Sequence, residues 1–228
     1  QDVADLFLIA PLWLIVAALA LRGSRRAYLL WLGVLTFTVY NYVIYAVSVP
    51  FGPLFLLWVA VFGASLFALI GGIAATDHAA IAAAFPNRRV VNIVAWFLIV
   101  VAILFALLWL SEDIPALLAA TTPKSLVDLG LPTNPVHVLD LGFFLPAVVA
   151  TGVLLLKRRA FAYTLAPVFL VFLLLTGLPV LLTPVVQSMR GETAAWGAVP
   201  PIAVLSVLVL ALLAWLLATM TVDRRPST

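Results

Sequence analysis

His137 and Asp140 stand three residues apart in the run NPVHVLDLGFFLPA, a spacing that puts both side chains on one face of a helix. An imidazole beside a carboxylate can hold a proton, a cation or a polar ligand. The pair also falls within two turns of a predicted helix start, where an acid is favoured by the helix dipole and solvated at headgroup level. Both readings are open at this point. Asp5 has the same standing, because Asp5, Leu6, Pro11, Arg22 and Tyr28 recur as Asp140, Leu141, Pro146, Lys157 and Tyr163 at one offset of 135 residues. An internal duplication would set two carboxylates at similar depth about a common axis. Two independent acids at helix starts are the alternative.

Asn41 lies inside an apolar run, deep enough to need a hydrogen-bond partner, and Tyr45 is one turn further on the same face. Thr176 occupies the position equivalent to Asn41 in the second copy, followed by Gly177 and Pro179, where a helix break or kink is predicted. The candidate ligand-binding set is therefore Asn41, Tyr45, His137, Asp140, Asp5 and Thr176. Tyr40 and Tyr42 are read as aromatics of the membrane belt.

The absences are equally informative. With no Cys, thiolate catalysis and Cys-ligated zinc are excluded. Two His with no HExxH give no recognisable zinc site, no Lys lies mid-span for a Schiff base, and no GxSxG, phosphate-binding or dinucleotide motif occurs. No cofactor is expected, and the sequence does not identify a metal. Enzyme activity is the less favoured reading, with His137 and Asp140 as an acid/base pair acting on lipid its only form.

These residues must be carried by membrane helices. The chain of 228 residues is 66% hydrophobic and 9% charged, with a mean hydropathy of +1.26, where a soluble domain has about 25% charged residues. Seven runs approach the ~20 apolar residues that cross a bilayer: Val3 to Leu21, Ala27 to Val49, Pro53 to Ala75, Val90 to Leu110, Val136 to Leu156, Ala160 to Val186 and Val199 to Val222. They lack the period-two alternation of barrel strands, so the expected fold is all-α with seven transmembrane helices. Acidic Asp2 and Asp5 precede the first run, which is not the basic flank of a signal peptide. The chain opens at Gln1 and not Met, which leaves room for residues upstream.

The net charge of +3 comes from basic clusters at span ends, which write topology and do not suggest nucleic acid. Arg22, Arg25, Arg26, Arg88, Arg89, Lys157, Arg158, Arg159, Arg224 and Arg225 fall on one side, ten of the twelve basic residues. The positive-inside rule makes that side cytoplasmic, with the N-terminus outside and the C-terminus inside. The duplication then divides a single domain into a first three-helix repeat (residues 1–75), a linker with helix four and an outer loop (76–133), and a second three-helix repeat (134–228). This is a 3+1+3 plan of parallel repeats. Within the linker, Ile114 to Ala120 is expected as a short interfacial helix. Asn134 and Pro135 read as N-cap and first residue of span five. Gly63, Ala64 and Ser65, and Gly71 with Gly72, are read as close-packing positions.

The runs YNYVIYAVSVPFGPLFLLWVA, Tyr40 to Ala60, and NPVHVLDLGFFLPA, Asn134 to Ala147, resemble those of an uncharacterised family of bacterial multi-span membrane proteins, which implies a fold and no activity. The 3+1+3 order and the matched prolines are more distantly similar to SWEET-type transporters, although span two lacks the proline expected there and no Pro-Gln pair occurs. Together these expectations describe a cell-membrane protein, lipid-embedded, that binds or translocates a small solute or cation. The alternatives are a non-catalytic subunit that packs on a membrane-protein partner or a second copy, and the lipid enzyme.

Overall fold

A computed structural model describes residues 10–191 and 196–221. These residues form helices joined by short connections, with no strand among the described residues. In chain order they are α1 (Ala10–Leu21), α2 (Arg25–Ser48), α3 (Phe55–Ala74), α4 (His78–Ala83), α5 (Arg88–Leu118), α6 (Lys124–Leu129), α7 (Pro135–Leu156), α8 (Ala160–Met189) and α9 (Val199–Ala218). Six of them, α2, α3, α5, α7, α8 and α9, are long and apolar enough to cross a membrane. The chain is thus an all-helical, multi-pass membrane protein. Of the first expected span, only the 12-residue α1 lies among the described residues.

Local sequence sets where helices begin. Ser24, Asp77, Asn87 and Asn134 each turn a side-chain oxygen onto the first free N–H groups of α2, α4, α5 and α7, groups that no intrahelical carbonyl can serve. Asn134 Oδ1 accepts from Val136 N at 3.0 Å and His137 N at 3.4 Å, with Pro135 in the first turn, as its dipeptide predicts.

Three elements differ from expectation. α5 runs unbroken for 31 residues through Pro115, so Ile114 to Leu118 continue the span and form no separate interfacial helix. At 1.5 Å per residue α5 is about 46 Å long and extends beyond a ~30 Å hydrocarbon core. α8 runs through Pro167, Pro179 and Pro184 as one 30-residue helix, so the expected break after Thr176 is absent. Membrane helices tolerate proline because neighbouring groups take up the freed carbonyls. In α7, Asp140–Phe144 form a π-helical turn in which Leu145 N bonds Asp140 O. Pro146 follows immediately; it has no N–H for the Gly142 carbonyl, and the widened turn lies over that gap.

α2 and α8 form the centre. Gly33 of α2 meets Val171, and an added Cβ would also come within 3.0 Å of the Val168 carbonyl. α5 and α7 approach as closely: a Cβ on Gly152 would stand 2.6 Å from Ile99 Cγ1 and 2.7 Å from Ala95 O. Of the glycines expected to pack, Gly72 does so against Leu32, whereas Gly63 and Gly71 face open space. Leu29, Leu32, Val94, Leu98, Val148 and Leu170 are fully buried between these helices. α3 buries only Ser65 and exposes Leu56, Leu57, Phe67 and Ile70, an apolar face suited to hydrocarbon.

Contacts also tie the basic segments into one end of the bundle. Arg26 donates to Met220 O at 2.8 Å, Thr221 N to Ala84 O at 2.8 Å, and Arg158 to Asn92 Oδ1 at 2.8 Å. The cluster around His137 and Asp140 occupies the opposite ends of α5 and α7.

Candidate functional site

The two extra turns of α5 determine the site. Trp109, Glu112 and Asp113 are at i, i+3 and i+4 and so share a face, and that face meets the first turns of α7. Trp109 Nε1 donates to Asp140 Oδ2 at 2.8 Å. The Trp109 ring stacks on His137 with centroids 4.7 Å apart and planes 29° apart. His137 Nδ1 lies 3.0 Å and 3.1 Å from the two oxygens of Asp113. Since a carboxylate accepts, Nδ1 carries the proton, and Nε2 lies 4.0 Å from Glu112 Oε2.

Asp140 is held from a third helix as well. The Tyr40 hydroxyl of α2 lies within hydrogen-bond reach of the carboxylate. The Tyr40 ring packs edge-on to Phe144 at 4.9 Å and Phe172 at 5.2 Å, which stack on one another at 4.7 Å. An acid in an apolar bundle is costly unless its lone pairs are served; here two donors from two helices serve one carboxylate.

The site is graded in exposure. Glu112 and Asp113 side chains are 31% and 25% exposed, while His137 and Asp140 are 5% and 8% exposed. Glu112 Oε1 also accepts from Ser125 N at 2.8 Å, and Ser125 Oγ accepts from Asn134 Nδ2 at 3.4 Å. The connection carrying α6 is thereby fastened across the end of the cluster.

Of the residues singled out in the sequence, His137 and Asp140 come together on α7, both against Trp109 of α5. Asn41 is buried in α2 beside Tyr40. Tyr45 turns its ring to Trp58 of α3 at 5.6 Å and to Tyr42 at 5.5 Å. Thr176 Oγ1 donates to its own helix, at 2.7 Å to Phe172 O and 3.2 Å to Leu173 O. Asp5 lies outside the described residues. Trp109, Tyr40, Glu112 and Asp113 are the additions. The signal for three of them is the run WLSED, unbroken by Gly or Pro before Pro115, which allows the helix to continue. Among the described residues no three His, Asp or Glu converge as a metal ion requires.

No protein-family model, no curated protein and no solved structure matches the chain. Its functional reading rests on this geometry.

Proposed function

We propose that the protein binds or translocates a small solute or cation, entering at the Glu112 and Asp113 end and reaching Asp140 by way of His137. The observation that carries this reading is the buried Asp140 carboxylate, served by Trp109 and Tyr40 from two other helices. Ionisable groups inside membrane bundles are expensive and mark solute and ion paths. The acids lead inward from partly exposed to buried, an arrangement that attracts positive charge.

The same proposal sets the chain in the cell membrane with seven spans in two parallel three-helix repeats, α1 belonging to the first span, and with the acidic end outside. Gly33 supports the repeat: it lies against the Val171 side chain and the carbonyl of Val168, and Val168 is the residue at the 135-residue offset from it. A pseudo-two-fold axis brings equivalent positions together in this way. The gathering of basic segments at the opposite end supports the orientation.

Proteoliposomes subjected to rapid jumps in H⁺, Na⁺ or K⁺ concentration test the reading. A transient current is expected and should be lost in Asp140→Asn and Asp113→Asn. Silence toward all three ions, or currents indifferent to Asp140→Asn, would remove cation movement from the account.

The full engagement of Asp140 and His137 within the chain favours a second reading, a packing subunit in which the cluster clamps α2, α5 and α7. It expects no current and a partner that co-purifies with the intact protein.

A further inference from the structure

We infer that the basic end carries a binding site for one anionic phospholipid headgroup, at the start of α5 beside the α7–α8 turn, with the exposed face of α5 receiving its acyl chains.

The first observation is backbone geometry. Arg158 has φ +58°, the left-handed region that side chains avoid. It closes α7 with the bonding that normally selects glycine: Arg158 N to Leu155 O and Arg159 N to Leu154 O, both 2.9 Å. A glycine would fit there without strain, yet the position holds an arginine whose side chain is anchored. Arg158 donates through one guanidinium nitrogen to Asn92 Oδ1 at 2.8 Å and through another to the Tyr163 hydroxyl at 3.4 Å. Strain retained by an aimed side chain indicates a binding role.

The second observation is what the anchoring brings together. Asn92 is one turn from Arg88 and Arg89 on α5, so the Arg158 guanidinium stands beside two further arginines. Arg88, Arg89, Arg158 and the neighbouring Lys157 and Arg159 are all exposed. In the connections at this end the only acid among the described residues is Asp77, which is occupied in capping Ala80 N at 3.0 Å. Guanidinium groups gathered without an acid match a phosphodiester, with which arginine forms paired hydrogen bonds.

The third observation favours a lipid over a soluble phosphate. Arg89, Trp96, Val100, Ile103 and Leu107 recur at i, i+7, i+11, i+14 and i+18 and form one face of α5. Trp96 is 58% exposed and Leu107 58% exposed, with Val100 and Ile103 between them also exposed. From Trp96 to Leu107 the track is about 17 Å long, sufficient for a chain reaching the middle of a ~30 Å core. Charge at the end, an interfacial tryptophan and then hydrocarbon follow the order of a phospholipid.

Thermal unfolding of the purified full chain in a neutral detergent tests the site, with dioleoylphosphatidylglycerol, dioleoylphosphatidylcholine or glycerol phosphate added. Phosphatidylglycerol is expected to raise the midpoint by several degrees, and native mass spectrometry should retain one such lipid per chain. The other two additives should have no effect. Arg158→Gly, which relieves the backbone, and Arg89→Ala, at an exposed position, should each fold and lose the shift. Arg22→Ala, at the same end but on the α1–α2 turn, should keep it. A shift equal with phosphatidylcholine or reproduced by glycerol phosphate overturns the proposal. So does a shift that survives in both site variants, or one lost equally in Arg22→Ala. Because none of these readouts involves ion flux, their failure leaves the reading of the acidic end intact.

Discussion

Trp109 and Asp140, thirty-one residues apart, are joined by a 2.8 Å hydrogen bond while the face of the same indole lies on His137. One side chain therefore orients both polar residues of α7, one through its N–H and the other through its ring. The carboxylate is positioned from α5, so α5 and α7 cannot slide along one another without exposing it.

Trp109→Phe separates those two roles. The phenyl ring preserves a stacking surface for His137 and removes the donor to Asp140. A buried acceptor deprived of its donor costs about 1–3 kcal/mol. Thermal unfolding in detergent should show a lowered midpoint, and Trp109→Phe with Asp140→Asn should be less destabilising than the sum of the single changes. Additive losses would mean that the two side chains act independently.

Tyr40→Phe and Tyr42→Phe form a matched pair. Tyr40 is 7% exposed and reaches Asp140, whereas Tyr42 packs beside Tyr45. Removal of the Tyr40 hydroxyl keeps its contacts with Phe144 and Phe172 and withdraws a second donor from the carboxylate, so a loss of about 1–2 kcal/mol is expected. Combined with Asp140→Asn, Tyr40→Phe should cost less than the sum of the single changes, whereas Tyr42→Phe, which leaves both donors on the carboxylate, should give additive losses. Equal effects would return Tyr40 to the interfacial belt where its sequence position suggested it belonged.

Glycine substitution tests the packing. Gly33→Ala drives a methyl group into Val171 at the α2–α8 crossing, and overpacking of this kind costs about 1–3 kcal/mol. Gly63→Ala meets nothing within 4 Å and should be neutral or slightly stabilising, since alanine is the better helix former. A neutral Gly33→Ala would show that the two central helices are free to separate.

Helical composition and the α7 start were legible because apolar run length and an Asn-Pro cap are local signals. His137 and Asp140 were legible as a pair for the same reason, since three residues on one helix define a face. Their partners were not. Trp109 and Asp113 belong to a helix whose end was read at Leu110, because charged Glu112 and Asp113 followed by Pro115 resemble a loop. The tertiary contact with α7 gives those acids partners and lets the helix continue. Tyr40 reads in sequence as a belt tyrosine and Tyr45 as a ligand residue, and only the rotation of α2 against α3 and α7 reverses them, setting Tyr40 near Asp140 and Tyr45 on Trp58. Thr176 shows the converse: a hydroxyl in an apolar span looks like a site, but bonding to its own helix at Phe172 O already satisfies it.

Glu112 provides the last prediction, because it serves two elements at once. Its Oε1 accepts from Ser125 N in α6 and its Oε2 lies 4.0 Å from His137 Nε2, so it pins the connection after α5 over the cluster. Glu112→Ala leaves the Ser125 amide without that acceptor and weakens the pin by about 1–2 kcal/mol. Local opening should then become roughly 5- to 30-fold more frequent. Amide hydrogen exchange in Lys124–Leu129 should accelerate by that factor, with α2 and α8 unchanged. Glu112→Gln keeps a carbonyl oxygen for Ser125 and should retain most of the protection. If Gln behaves as Ala does, the charge near His137 holds the connection and the bond to Ser125 does not.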